Sequence, residues 1–134
     1  MPLYLADTSA WNRSKRLIER WDDLVARALL AVCTPVILEL LYAARTRAEY
    51  RALAYDLTGF RHLPVRPDVE AFAMRAQAGL AEHSQHRIPA MDVFVAAIAE
   101  AHGAVVLHYD RHFDAIARVT GQPMEWLARR GSLD

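Results

Sequence analysis

Ala104-Val105-Val106-Leu107-His108-Tyr109 is the segment that decides the fold, because it is the clearest strand pattern in the chain and leads directly into an acid, Asp110. A short, continuous apolar run of this kind is typical of a strand that is buried on both faces of a sheet. A second such run, residues 3–6, leads in the same way into Asp7. Helical patterns lie between the apolar runs, so the sequence predicts an α/β domain with a parallel sheet covered by helices on both faces.

The other elements are marked by their boundary residues. Thr34-Pro35 and Pro89 are typical helix starts, and Gly103 is a typical helix stop. Helices are predicted over residues 17–29, 36–45, 48–57, 69–83, 89–102 and 111–119, and further strands over residues 31–33, 60–65 and 124–127. Strand 60–65 is expected at an edge of the sheet, because Pro64 would interrupt a central ladder. With no internal repeat and no linker, residues 1–134 are predicted to form one domain.

The composition favours a cytoplasmic protein. The single cysteine, Cys33, lies in an apolar run and is expected to be a small buried side chain of an intracellular protein. No apolar stretch reaches the roughly 18 residues that span a bilayer, and the first residues lack the basic start of a signal peptide. The 16 basic and 16 acidic residues balance, and all but one of the basic residues are arginine, whose forked guanidinium suits phosphate.

Four acids occupy unusual positions for charged residues. Asp7 and Asp110 each follow a buried strand, at the edge of a parallel sheet where α/β proteins bind ligands. Glu39 and Asp92 each lie among apolar residues, within a turn or so of a helix-starting proline. Taken singly, each acid could be a cap, a turn residue or a solvated side chain. Taken together, their placement predicts an acidic cluster.

Such a cluster requires a cation, since two carboxylates about 4 Å apart repel each other by about 4 kcal/mol at an effective dielectric of roughly 20. A ligand set made of carboxylate oxygens favours Mg²⁺ or Mn²⁺ over Zn²⁺. A bound ion of this kind can activate a water for attack on phosphorus and stabilise the leaving oxygen. The reaction class that the acids predict is therefore phosphodiester hydrolysis.

Four segments, in this order, resemble the PIN domain and, more narrowly, the VapC toxins of type II toxin–antitoxin systems. The segments are Leu5-Ala6-Asp7-Thr8-Ser9-Ala10, Thr34-Pro35-Val36-Ile37-Leu38-Glu39-Leu40, Ile88-Pro89-Ala90-Met91-Asp92 and Leu107-His108-Tyr109-Asp110-Arg111-His112-Phe113-Asp114-Ala115-Ile116. The resemblance extends over almost the whole chain. It implies a three-layer α/β/α fold with about five parallel strands, Mg²⁺-dependent endoribonuclease activity, homodimers and inhibition by a cognate antitoxin.

The resemblance also implies roles for individual residues. The residues that match the family's catalytic, metal-binding acids are Asp7, Glu39, Asp92 and Asp110. Asp114 matches a more variable fifth metal ligand, and Ser9 matches a small polar residue that helps to orient the site. His108-Tyr109 departs from the smaller or basic residues that such toxins often carry before the last acid, which leaves the substrate preference open.

Substrate and partner contacts are predicted from side chains near the acids. The predicted RNA-binding residues are Arg13, Lys15, Arg16 and His112, with a solvated helix face as the alternative for the basic cluster. His108 also flanks the last acid, where it could contact a phosphate or transfer a proton. An apolar stripe could be core or form a groove for an antitoxin helix whose arginine pairs with the acids. The stripe consists of Leu17, Trp21, Leu24, Leu41 and Tyr42.

Four alternative functions share part of this sequence pattern. A receiver-like signalling domain needs a lysine near a late strand, but the only lysine is Lys15. A dinucleotide-binding domain is disfavoured because no Gly-x-Gly-x-x-Gly motif follows the first strand. A PIN-like domain that only binds a partner, or an RNA-processing nuclease outside a toxin system, would keep the same acids.

Overall fold

The computed structural model describes residues 2–134, which form five strands and seven α-helices. The strands are Tyr4–Ala6 (β1), Leu30–Val32 (β2), Arg61–His62 (β3), Val105–His108 (β4) and Met124–Trp126 (β5). The helices are Thr8–Trp11 (α1), Ile18–Ala26 (α2), Thr34–Tyr42 (α3), Arg47–Leu57 (α4), Pro67–Ala81 (α5), Ala90–His102 (α6) and His112–Thr120 (α7). A 3₁₀ helix over Ser14–Leu17 lies between α1 and α2. Within residues 2–134, none of the helices has the length and apolar character that crossing a membrane requires.

All five strands pair in parallel, in the order β3-β2-β1-β4-β5. The first strand is central, because Tyr4 is in register with Leu30 of β2 on one side and with Val105 of β4 on the other. The chain builds the sheet outward from β1 to β3 and then returns to the other side of β1, so the strand order reverses between β1 and β4. The predicted parallel sheet is confirmed, and β3 is the edge strand that Pro64 indicated.

Neighbouring residues of the central strand enter two separate cores on opposite faces of the sheet. Leu5 belongs to the larger core, to which α3, α5, α6 and α7 contribute apolar side chains. Ala6, the next residue, belongs to the smaller core, which contains Trp21 and Leu24 of α2. Helices therefore cover both faces, which confirms the three-layer α/β/α arrangement. Cys33 is buried, as predicted.

Several boundaries differ from the predicted ones. The first long helix ends at Ala26 rather than near residue 29, because Ala28 has a left-handed backbone (φ 55°) that turns the chain into β2. Thr34 lies in the first turn of α3 instead of capping it, and its hydroxyl hydrogen-bonds to the ring of His62 (3.1 Å). The bounds of α6 follow the prediction, since Pro89 precedes it and Gly103 ends it with φ 65°.

Candidate metal and active site

The predicted acids lie at the carboxyl edge of the sheet, beside the point where the strand order reverses. Asp7 follows β1 and caps α1, and Asp110 follows β4, the neighbouring strand. Glu39 lies within α3, and Asp92 lies in the first turn of α6. Burial and, after it, the negative charge of Asp7 raise the pKa of both Glu39 and Asp92, so the two helices carry their acids close to the strand ends. The structure therefore brings the four acids together around Asp7.

Asp7 is the most buried of the four acids, with 4% of its surface exposed. Its Oδ2 accepts hydrogen bonds from the backbone N–H of Ser9 (3.0 Å) and from the Ser9 hydroxyl (2.8 Å). Burial raises the pKa of Asp7 by more than these hydrogen bonds lower it, and the charge of Asp110 raises it further. A buried carboxylate beside other carboxylates gains strongly from a nearby cation.

The Ser9 hydroxyl connects the two strand ends that carry acids. It donates to Asp7 and accepts a hydrogen bond from the backbone N–H of Tyr109 (2.9 Å), the residue before Asp110. The Ser9 side chain therefore adds a link between the loops after β1 and β4, beside the backbone hydrogen bond from the Asp7 N–H to the Leu107 carbonyl (2.9 Å). This is the contact expected of a residue that orients the site, while its effect on activity stays a prediction.

Asp92, Asp110 and His112 form the tightest group in the site. One potential ligand atom from each lies within 4.8 Å of those of the other two. His112 Nδ1 is 2.9 Å from Asp92 Oδ2 and 3.3 Å from Asp110 Oδ1, so it donates toward two carboxylates. Burial, followed by the charge of Asp7, raises the pKa of Asp92 from 3.8 to about 6.

The donor set of this group fits a metal ion. The carboxylates of Asp92 and Asp110 converge, and the position of His112 Nδ1, which donates to both, marks where positive charge is best stabilised. Glu39 adds another carboxylate, whose pKa is raised by burial and then by the charge of Asp7. Burial is the main cause of the raised pKa values of Asp7, Glu39 and Asp92, and repulsion between the acids adds to it, so a cation would stabilise their ionised forms.

Asp114 lies one turn along α7 from Asp110 and is not part of the tightest group. Its Oδ1 accepts a hydrogen bond from the indole Nε1 of Trp126 in β5 (3.0 Å). One carboxylate oxygen is therefore already engaged by the protein. The role of Asp114 as a fifth metal ligand stays a prediction.

His108 does not face the substrate side, so its predicted contact with phosphate is wrong. The side chain is fully buried, and its ring packs against those of Phe113 and Trp126, with centroid distances of 5.0 and 4.9 Å. Burial lowers the pKa of His108 to about 4, which keeps the ring neutral at pH 7. Its Nδ1 accepts a hydrogen bond from the backbone N–H of Asp110 (3.2 Å). His108 thus holds the backbone that presents an acid.

The predicted basic cluster lies close to the first acid, but two of its side chains are engaged by the protein. Arg13 donates to the Ser9 carbonyl (3.1 Å), and its guanidinium lies over the Tyr109 ring, 4.6 Å from the centroid. Arg16 donates to the Leu133 carbonyl. Lys15 is exposed. Contact of these three residues with RNA stays a prediction.

The apolar stripe proposed as an antitoxin groove is mostly core. Trp21, Leu24 and Leu41 are 8%, 7% and 8% exposed, so the groove hypothesis is wrong for these residues. Tyr42, in contrast, is 91% exposed. It lines an open cleft of about 950 Å³ that is formed by residues of α1, α3 and α4 and reaches Glu39.

Comparison with known proteins identifies the family. Residues 4–119 match the family model of the PIN domain. Ribonuclease VapC18 of Mycobacterium tuberculosis (strain ATCC 25618 / H37Rv) is 37% identical over 136 residues, which cover 98% of this chain and 99% of the relative. Ribonuclease VapC51 of the same strain is 38% identical over 133 residues, which cover 98% of this chain and 97% of the relative.

Solved structures share the fold. A chain of the DNA-bound VapBC from Salmonella typhimurium superposes with a TM-score of 0.76 at 20% identity, covering 96% of this chain and 100% of that chain. A chain of VapBC2 from Rickettsia felis, bound to a DNA fragment from its promoter, gives a TM-score of 0.79 at 15% identity, covering 94% and 99%. With the family match and the two near-full-length relatives, the chain belongs to the PIN-domain family and, within it, to the VapC ribonucleases.

Proposed function

We propose that this chain is a Mg²⁺-dependent endoribonuclease and the toxin of a type II toxin–antitoxin pair. The observation that carries the proposal is the convergence of Asp7, Glu39, Asp92 and Asp110 at one edge of the sheet, with raised pKa values for the first three. The relatives VapC18 and VapC51 are named ribonucleases, which supports RNA as the substrate. The similar solved chains come from VapBC complexes, which supports a protein partner.

The acids would hold the ion, with Asp114 as a further ligand, and Mn²⁺ is expected to substitute for Mg²⁺. With the ion bound, the site gains a Lewis acid and a water that is more easily deprotonated. The chain's own residues supply the positioning. Ser9 links the two strand ends, and His108 holds the backbone N–H of Asp110. The residues expected to contact RNA are Arg13, Lys15, Arg16 and His112.

The proposal is tested by RNA cleavage with purified protein. After EDTA treatment, the wild-type protein is titrated with Mg²⁺ in the presence of single-stranded RNA, beside Asp7→Asn and Asp92→Asn. Both variants should lose cleavage because each removes a charge that holds the ion, whereas their circular dichroism should stay that of a folded chain. Asp22→Asn, which changes an exposed acid on α2, is the control and should cleave like the wild type. Full cleavage by either Asp7→Asn or Asp92→Asn would contradict the assignment of these acids to the metal site.

We further propose that the protein acts in the cytoplasm as a homodimer and that a cognate antitoxin inhibits it. The open cleft that reaches Glu39 offers a path for an antitoxin segment whose arginine pairs with the acids. Reversing the charge of that arginine should restore cleavage while the complex persists. Tyr42→Ala should weaken the complex, whereas Tyr55→Ala, 78% exposed but outside the cleft, should leave its affinity unchanged. Equal affinities of the two tyrosine variants for the antitoxin would rule out this cleft as its binding site. The oligomeric state is measured separately by light scattering.

A further inference from the structure

A second cavity, of about 320 Å³, opens beside the acidic cluster. Arg111 and Arg118 reach it from the start and the last turn of α7, and Arg130 reaches it from the segment after β5. His112 and Asp114 also line it, so the cavity and the acidic site share a wall. Basic side chains from two separate parts of the chain thus line one cavity, which shares His112 with the acidic site.

Helical spacing and one aromatic contact place these arginines around the cavity. Arg111, Asp114 and Arg118 are spaced by three and four residues, which places them on one face of α7. The guanidinium of Arg130 lies over the ring of Trp126, 5.9 Å from the centroid, and the same indole donates to Asp114 (3.0 Å). The three arginines are exposed, and the contacts of Trp126 with Arg130 and Asp114 connect the two parts of the chain that carry them.

The charge of the cavity is unbalanced. Within residues 2–134, Arg111, Arg118 and Arg130 form no ion pair. Three guanidinium groups face one carboxylate, that of Asp114, which leaves a net charge of about +2 in the lining. A planar guanidinium recognises phosphate oxygens through paired hydrogen bonds. An oxyanion is therefore the ligand that the cavity fits.

We propose that this cavity binds a phosphate of the RNA next to the phosphate that is cleaved, a proposal that rests on the proposed nuclease function. The catalytic carboxylates repel a polyanion, and a bound ion offsets that repulsion only at the phosphate it touches. The neighbouring phosphates need cationic contacts of their own. Arg118 and Arg130 supply them on the α7 side of the site, where His112 borders both the cavity and the acids.

The test measures binding and cleavage separately. Binding of a short fluorescein-labelled single-stranded RNA of mixed sequence is followed by anisotropy in EDTA, at several salt concentrations. The double variant Arg118→Gln/Arg130→Gln should bind roughly tenfold or more weakly. Its slope of log affinity against log salt should fall by about 0.7 for each lost phosphate contact. Arg111 is not changed in this test, because it directly follows Asp110, one of the acids of the site.

Arg75→Gln is the matched control. Arg75 is exposed on α5, its guanidinium also lies over an aromatic ring (Phe72, 5.0 Å), and it lines neither the cavity nor the cleft. The affinity of Arg75→Gln for RNA and its salt slope should equal those of the wild type.

If the wild-type protein cleaves RNA but the double variant binds RNA as tightly as the wild type does, the cavity proposal alone is overturned. This result would favour an acidic protein segment as the occupant of the cavity. A wild-type protein that neither binds nor cleaves RNA would overturn both proposals. Arginine-dependent binding without cleavage would support the cavity and overturn the nuclease.

Discussion

Replacing Asp92 by asparagine should stabilise the metal-free protein at neutral pH. Burial and the charge of Asp7 raise the pKa of Asp92 from 3.8 to about 6, and only 16% of its side chain is exposed. This change in pKa corresponds to about 3 kcal/mol against the ionised folded state. The pKa of about 6 already includes the hydrogen bond and the charge of His112, both of which lower it. The expected increase in the free energy of unfolding is therefore about 3 kcal/mol.

The sign of the pH dependence follows from the raised pKa. Below about pH 4, Asp92 is protonated in both the folded and the unfolded chain, so its ionisation contributes no difference between wild type and variant. Between about pH 4 and about pH 6, the unfolded chain releases this proton before the folded chain does, so wild-type stability falls as the pH rises. Above about pH 6, the difference between the two proteins should be constant.

Urea unfolding in EDTA, followed by circular dichroism at about pH 4 and about pH 7, measures the effect. Asp22→Asn removes an equal charge from an exposed position and should change the free energy of unfolding by less than about 0.5 kcal/mol. An Asp92→Asn protein no more stable than the wild type at neutral pH would refute the reasoning. A gain of equal size at both pH values would also refute it, because burial of a charge cannot act on a protonated acid.

Further predictions concern the ion, the buried histidine and a helix end. After EDTA treatment, Mg²⁺ or Mn²⁺ should restore cleavage better than Zn²⁺ does; activity that survives exhaustive chelation would point to a metal-independent nuclease. His108→Phe keeps an aromatic ring between Phe113 and Trp126 but removes the acceptor of the Asp110 N–H. This variant should lower the free energy of unfolding by about 1–2 kcal/mol and raise the Mg²⁺ concentration needed for half-maximal cleavage. An unchanged Mg²⁺ requirement would argue against a role of His108 in positioning Asp110. Gly103→Ala, at φ 65°, should cost about 1 kcal/mol in thermal unfolding and leave cleavage intact; an unchanged melting temperature would contradict backbone strain.

The sheet and the acidic edge were predictable because their signals are local. The apolar runs 3–6 and 104–109 each lead directly into an acid, and parallel strands place such acids at one edge whatever the intervening helices do. The limits of α6 were equally local, since Pro89 and Gly103 act through their own backbone geometry. The resemblance to the PIN domain added the expected metal-dependent ribonuclease chemistry to the predicted sheet and acids.

Other features depend on contacts between residues far apart in sequence. The end of α2 is hidden because Ala28-Leu29-Leu30-Ala31-Val32 is apolar throughout, so the helical stripe passes into β2 without a polar break. The orientation of the His108 side chain likewise depends on its packing against Phe113 and Trp126, not on its neighbours in the strand.

The arginine cavity escaped prediction for a related reason. Arg111 and Arg118 share a helical spacing that the sequence does show, but Arg130 joins them only because β5 pairs beside β4. The predicted basic cluster was instead contiguous in sequence, and two of its side chains, Arg13 and Arg16, donate to backbone carbonyls. Proximity in sequence therefore proved a poor guide to which basic side chains are free of ion pairs and carbonyl contacts.

The central position of β1 has a consequence for how this chain is made. Its first strand leaves the ribosome early, yet Tyr4 pairs with Val105 of β4, which is translated roughly a hundred residues later. Asp110 emerges only after that strand, so the set of four acids around Asp7 stays incomplete until then. A nascent chain cannot assemble the acidic edge during most of its synthesis. The complete acidic site of this nuclease therefore forms only after β4 and Asp110 have been synthesised.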